Sequence, residues 1–105
     1  MATLGTQIKP ELIEDFCRHW AVREFSLFGS VLRDDFNDSS DVDVMVSFKI
    51  DAGWSLLDHV TMRDELVTLF GRKVDLVTRK GVERSRNALR RTEILETAKV
   101  FYVAA

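Results

Sequence analysis

The chain has 105 residues, of which 46% are apolar and 30% are charged, and its formal net charge at pH 7 is -2. This length supports a single domain, residues 1–105, with one hydrophobic core and no separate substrate-binding domain. The ordinary apolar content argues against a disordered chain, and the slightly acidic charge argues against a protein whose main task is to coat nucleic acid.

The first predicted element is a helix that begins near Pro10. Proline suits the first turn of a helix, because the N–H group that it lacks would have no intrahelical partner there. Apolar residues then recur at helical spacing and form one face, namely Ile13, Phe16, Cys17 and Trp20. This pattern predicts that Cys17 is a small buried core residue rather than a nucleophile.

A strand and a glycine turn follow this helix. Side chains of the predicted strand Arg23–Phe28 alternate between two faces, with Phe25 and Leu27 on one face and Ser26 and Phe28 on the other. Gly29 permits a tight turn and a close approach of the backbone to a ligand, and Ser30 can cap a short helix over Val31–Asp35. The free N–H groups at such a helix start form a phosphate site. A Gly-Ser pair alone, however, indicates only a turn.

Two aspartates stand at the start of the next predicted strand, Val42–Phe48, after a polar loop over Asn37–Ser40. Side chains alternate along a strand, so Asp41 and Asp43 leave the same face while the valines between and after them leave the other. Two neighbouring anions are costly unless a cation lies between them, and Mg²⁺ prefers carboxylate oxygens, water and phosphates. The glycine turn and this Asp-x-Asp pair together therefore predict a phosphoryl or nucleotidyl transfer site.

The second half of the chain supplies a long helix over Leu56–Phe70, which Gly71 ends. Its predicted apolar stripe contains Leu56, Val60, Met62, Leu66, Val67, Leu69 and Phe70. We interpret His59 as a solvated residue of this helix, and Trp54 as available to cover an apolar edge. The stripe predicts packing against the sheet.

A third strand, Lys73–Thr78, points Asp75 away from the face of Val74 and Leu76. If this strand lies beside the Asp-x-Asp strand, Asp75 joins the same metal site. Alone, it could equally be an edge-strand charge that prevents aggregation. An arginine-rich helix over Glu83–Glu96 and a final strand or docked tail over Val100–Val103 complete the prediction. The fold class is α/β (α+β), a small mixed β-sheet with helices packed on it.

Residues 29–48, GSVLRDDFNDSSDVDVMVSF, resemble the signature of the polymerase-beta-like nucleotidyltransferases. The likeness is to their short minimal nucleotidyltransferase (MNT) domains, which act as antitoxins of HEPN-type toxins. The resemblance depends on the Gly-Ser turn, on Arg33 after that turn, and on the Asp-x-Asp pair with the apolar run that follows it. The family places a third acid on a later strand, and here Asp75 in the segment Val74–Val77 supplies it. Asp34 and Asp35 depart from the family, in which glycine often follows the arginine.

The resemblance implies transfer of AMP from ATP to a hydroxyl, expected to be a tyrosine, of a cognate HEPN ribonuclease toxin in a hetero-oligomer. It implies two Mg²⁺ ions, or Mn²⁺, held by Asp41, Asp43 and Asp75. Asp41 and Asp43 would bridge both ions, and Asp75 would bind the ion nearer the attacking hydroxyl. The nucleotide phosphates would be held by Gly29, Ser30 and Arg33.

Two other functions stay open. An antitoxin could neutralise its toxin by binding alone, without catalysis. A nucleotidyltransferase could also act on RNA or on a small molecule, but larger relatives that do so carry further domains, and the acidic chain does not favour direct contact with nucleic acid. The single cysteine, the lack of a leader and the lack of a long apolar run predict a cytoplasmic protein without a membrane partner.

Overall fold

The computed structural model describes residues 10–29, 41–50 and 52–104. In these ranges the chain order is α1 (Pro10–His19), β1 (Val22–Phe28), β2 (Val42–Phe48), α2 (Leu56–Phe70), β3 (Val74–Thr78), α3 (Arg79–Glu83), α4 (Ala88–Thr97) and β4 (Lys99–Val103). The predicted helix over residues 31–35 and the predicted loop over residues 37–40 lie outside the described residues. In the ranges described, no helix is long and apolar enough to cross a membrane.

The strands of the described residues form one sheet in the order β3-β2-β1-β4. β1 pairs antiparallel with both β2 and β4, whereas β2 and β3 are parallel. The small mixed sheet is therefore confirmed, and Val100–Val103 belongs to a strand rather than to a docked tail. The parallel pairing sets the carboxylates of β2 and β3 beside each other.

Helices cover both faces of the sheet. The larger core joins α1 and α2 to one face, and it includes Phe16, Cys17, Phe25, Leu27, Val42, Val44, Met62, Leu66 and Leu76. The smaller core joins α3 and α4 to the other face through Phe28, Met45, Val82 and Ile94. The predicted sides of Phe25, Leu27 and Phe28 are confirmed by this division.

α2 has well-defined ends and a narrower buried face than predicted. Ser55 and Asp58 form a capping box at its start, and Gly71 ends it in the left-handed conformation with φ 71°. Met62, Leu66 and Phe70 are buried, but Leu56 is 80% exposed and Val60 is exposed, so the predicted stripe was too wide. At about 100° per residue, Val60 lies roughly 120° around the helix from Leu66 and faces away from the sheet.

Two other sequence predictions were wrong. His59 is not solvated: its ring is half-buried, and Nε2 lies 3.0 Å from the carbonyl oxygen of Leu76 on edge strand β3. The predicted helix over residues 83–96 is interrupted, because α3 ends at Glu83 and α4 begins only at Ala88. Asn87 accepts a hydrogen bond from the N–H of Arg90 and so starts a new helix instead of continuing the previous one.

Candidate active site

Three aspartates, here called the acid row, line up at one end of the sheet: Asp41, Asp43 and Asp75. Asp43 pairs in register with Asp75 across the parallel strands, and it also pairs with Phe28, the last residue of β1. Neighbouring strands are about 4.8 Å apart, and paired residues point to the same face. Asp41 precedes Asp43 by two positions, so the backbone directs all three side chains to the face of the smaller core.

Gly29 touches the acid row directly. Its φ is +75°, a conformation that other residues rarely adopt, and a Cβ atom built on it would lie 2.3 Å from Oδ2 of Asp43. A side chain at this position would occupy the space of the carboxylate. The predicted approach of the Gly29 backbone to a ligand stays a prediction; in the structure the group beside this glycine is the carboxylate of Asp43.

Asp75 faces a basic residue that the sequence did not single out. Nη2 of Arg90 lies 4.0 Å from Oδ2 of Asp75, and the two side chains are 59% and 53% exposed. An ion pair this long and this exposed contributes little to stability. Arg90 owes its place to the start of α4, where the side chain of Asn87 caps its N–H. The sequence analysis noted an arginine-rich segment without choosing among its arginines, and the structure shows that Arg90 is the one that approaches Asp75.

A small cavity of about 210 Å³ lies on the same face as the acid row. Val77, two positions after Asp75, lines it together with Val82 and Ile94, and Arg90 and Arg91 line its polar side. Nη1 of Arg91 donates a hydrogen bond of 2.6 Å to the carbonyl oxygen of Ser85, which fixes the guanidinium in place. The acid row is thus bordered by an apolar recess with cationic groups.

The backbone positions and the chemistry of the acid row fit a divalent metal. Carboxylate oxygens are the donors that Mg²⁺ prefers, and the glycine leaves room for the carboxylate of Asp43. In the ranges described, no three His, Cys, Asp or Glu side chains are grouped so as to hold a metal ion. For the three carboxylates of the acid row to bind one ion, their side chains would have to rotate, and Asp75 would have to rotate away from Arg90. Ser30 and Arg33, the other predicted phosphate ligands, lie outside the described residues.

Comparison with known proteins identifies the family. Residues 9–100 match the family described as nucleotidyltransferase domain. The chain belongs to the nucleotidyltransferase family.

Sequence relatives of this nucleotidyltransferase carry a more specific name. A protein of Methanocaldococcus jannaschii, named provisionally as a protein adenylyltransferase, is 36% identical over 76 residues, which cover 72% of this chain and 78% of the relative. The protein adenylyltransferase MntA of Thermococcus cleftensis is 37% identical over 78 residues, which cover 74% of this chain and 73% of the relative.

Solved structures share the fold of this nucleotidyltransferase. A protein provisionally described as a minimal nucleotidyltransferase superposes with a TM-score of 0.64 at 32% identity, and the match covers 86% of each chain. A toxin–antitoxin structure with AMP-PNP superposes with a TM-score of 0.69 at 17% identity, covering 92% of this chain and 75% of that one. The second likeness concerns the fold alone. The predicted α/β nucleotidyltransferase fold is therefore confirmed.

Proposed function

We propose that this nucleotidyltransferase is the antitoxin of a two-protein system and transfers AMP from ATP to a hydroxyl of its toxin. We expect the toxin to be a HEPN-type ribonuclease and the acceptor to be a tyrosine. The observation that supports this proposal best is the register of Asp43 with Asp75 beside Gly29, which sets carboxylates from two strands side by side. The relatives named protein adenylyltransferase support the choice of a protein as acceptor.

Each residue of the acid row has a proposed task. Asp41 and Asp43 would bind divalent cations, Mg²⁺ or Mn²⁺. Bound cations would activate the acceptor oxygen and stabilise the pyrophosphate that leaves. Asp75 would bind the cation nearer the acceptor hydroxyl and would help to remove the proton of that hydroxyl. The acceptor oxygen then bonds to the α-phosphorus, and the bond from that phosphorus to the bridging oxygen of pyrophosphate breaks.

The glycine turn has a separate task, which is to hold the nucleotide. Gly29 has no side chain to block its backbone, so phosphate oxygens can approach it closely, and we propose that Ser30 and Arg33 complete the phosphate contacts. Arg90 would then be released from Asp75 and face the phosphates. We place the reaction in the cytoplasm, where ATP is available and a single cysteine stays reduced.

The test uses the protein encoded by the neighbouring gene, incubated with this nucleotidyltransferase and with ATP labelled at either the α or the γ phosphate. We expect label on the partner only from the α position, located on a tyrosine by mass spectrometry, and no label with Asp43→Asn. Label only from the γ position would indicate a kinase and contradict the proposal. Loss of toxin activity without any label would indicate neutralisation by binding alone.

Acceptor class is tested in the same reaction mixture. Replacing the partner protein with a short RNA or with a small hydroxyl compound should give no labelled product. A labelled RNA in place of a labelled protein would overturn the proposed acceptor while leaving nucleotidyl transfer intact.

A further inference from the structure

A second concave surface lies at the end of the sheet opposite the acid row. This cavity, here called the cationic groove, has a volume of about 500 Å³, and its lining includes Arg23, Val46, Phe48, Lys49, Arg79 and Lys80. β2 runs from the acid row to the groove, and Lys49 follows Asp43 by six positions. At about 3.3 Å per residue, the two sites are roughly 20 Å apart.

Positive charge is concentrated in the groove although the whole chain has a formal charge of -2. Arg79 is neutralised, because it lies 3.5 Å from Glu24 and 3.3 Å from Glu83. The other cations are Arg23, Lys49 and Lys80. In the ranges that the structure describes, no hydrogen bond or ion pair engages these three side chains. Like charges gathered from three chain segments repel one another, so binding of an anion would be favourable.

The backbone fixes the positions of two of these cations. Val22 pairs with Phe48 but Glu24 pairs with Ser47, so Arg23 is the extra residue of a β-bulge. A bulge redirects a side chain, and this one is held by a 2.8 Å hydrogen bond from the N–H of Ala104 to the carbonyl oxygen of Arg23. The N–H of Lys49 donates a 2.8 Å hydrogen bond to the carbonyl oxygen of Ala21, which ties the two segments together.

Apolar groups accompany the cations. Val46 is buried and Phe48 half-buried in the lining, and Ile50, also in the lining, is 97% exposed. Such a mixture of aliphatic and cationic groups matches a protein segment that carries both carboxylates and apolar side chains. The phosphate backbone of a nucleic acid would bind the cationic side chains but would make no apolar contact with Ile50.

We propose that the cationic groove docks an acidic, partly aliphatic segment of the protein substrate, and so holds that protein while its acceptor hydroxyl reaches the acid row. The identity of the docked protein as the substrate rests on the proposed function. Binding of an acidic segment to the groove does not.

Binding is tested first without any nucleotide. The probe is a fluorescein-labelled nine-residue peptide of Glu-Glu-Leu repeats, and its counterparts are a Lys-Lys-Leu peptide and a 5′-phosphorylated oligoadenylate. We expect the acidic peptide alone to bind, and Lys49→Glu/Lys80→Glu to weaken it about tenfold. The control Arg63→Glu/Arg86→Glu makes the same change of net charge at exposed residues outside the groove lining and should leave affinity within about twofold.

Three results would overturn the docking proposal. They are no binding of the acidic peptide, equal binding of that peptide by the wild-type chain and by Lys49→Glu/Lys80→Glu (the groove variant), or tighter binding of the oligoadenylate than of the acidic peptide. Thermal melts of both double variants confirm that each is folded before binding is compared. Chemical shift changes in the wild-type chain should fall on Arg23, Lys49 and Lys80 and spare the acid row.

Catalysis is tested second, with the partner protein and α-labelled ATP. The groove variant should raise the KM for the partner about tenfold and leave the KM for ATP unchanged, because the groove is remote from the acid row. An unchanged KM for the partner would exclude a docking role in the reaction. If the wild-type chain transfers no label but still binds the acidic peptide in the groove, the proposed function fails and the docking site stands.

Discussion

Gly29 and Asp43 are neighbours at the acid row, and the glycine leaves the space in which the carboxylate lies. The left-handed backbone of Gly29 and the missing Cβ leave the space that Oδ2 of Asp43 occupies. Because that oxygen belongs to a side chain and not to the backbone, a larger residue at position 29 would displace the carboxylate rather than unfold the sheet. Residue 29 therefore controls where Asp43 can place its charge.

Gly29→Ala should lower the free energy of unfolding by about 1 kcal/mol, the cost of an alanine at positive φ. It should lower AMP transfer about 100-fold, because the carboxylate is displaced. Gly71→Ala is the matched control, since Gly71 also has positive φ, +71°, but no atom within 4 Å of its Cβ position. Chemical denaturation and transfer assays of both variants make the comparison. Unchanged transfer by Gly29→Ala would mean that Asp43 does not act from this position.

Cys17 gives a prediction about pH. Burial, and to a smaller extent the nearby charge of Glu14, raises the pKa of the Cys17 thiol from its ordinary 9.0 to about 12. The folded chain then keeps the proton while the unfolded chain loses it, so this contribution to stability is complete below pH 9 and is lost as pH rises toward 12. Between pH 8 and pH 10.5 the loss should be about 2 kcal/mol.

The measurement is urea unfolding of the wild-type chain and of Cys17→Ala at these two pH values. Cys17→Ala should be less stable than the wild-type chain at pH 8, because the smaller side chain leaves a cavity. It should lose less stability than the wild-type chain between pH 8 and pH 10.5, because it has no thiol at position 17 to ionise. Equal losses in the two proteins would show that the Cys17 thiol does not resist ionisation.

At the scale of elements, the end of α1 shows how one backbone position links a helix to the sheet. Ala21 has φ 53°, the one non-glycine residue with positive φ in the described ranges. It follows Trp20 at the end of α1, where chains usually place glycine, and its carbonyl oxygen accepts the N–H of Lys49. This residue therefore joins α1 to the end of β2 at a cost in backbone strain.

Ala21→Gly should raise the free energy of unfolding by about 1 kcal/mol, because glycine adopts this conformation without strain. Ala98→Gly is the control. Ala98 ends α4 with φ -59°, so glycine there relieves no strain and should be neutral or destabilising. Thermal and urea denaturation of both variants test this, and a loss of stability in Ala21→Gly would contradict the assigned strain.

The elements differ in how far the sequence determines them. β2 and α2 begin and end where their patterns predict, since the valine alternation and the cap at Ser55 are local signals. The break between α3 and α4 was not predictable, because the cap at Asn87 competes with an equally helical run of residues. The half-buried His59 was missed because its partner, the carbonyl oxygen of Leu76, comes near only when β3 becomes an edge strand.

The candidate site shows the same division. Asp41, Asp43 and Gly29 could be chosen from a local motif of about fifteen residues. The pairing of Asp75 with Asp43 required the strand order, and the approach of Arg90 required the fold of α4. The groups of the cationic groove come from separate segments of the chain, so no local pattern could reveal them.

On the scale of the whole molecule, the acid row and the cationic groove lie at opposite ends of the sheet. The acid row lies where β2 and β3 begin, and the groove lies where these strands end. A protein arranged in this way can hold cations and nucleotide at one end and an acidic partner at the other. The central claim is that the acid row binds a divalent metal.

The most direct test of that claim is a thermal melt of the metal-free chain with and without 10 mM Mg²⁺. For a dissociation constant near 1 mM, the wild-type Tm should rise by roughly 6 °C. Asp43→Asn should lose most of the Mg²⁺-induced rise, because the variant lacks one of the carboxylates that bind the ion. The control Asp64→Asn, on the exposed side of α2, should keep the full rise. A full Mg²⁺-induced rise in Asp43→Asn would contradict the acid row as the metal site.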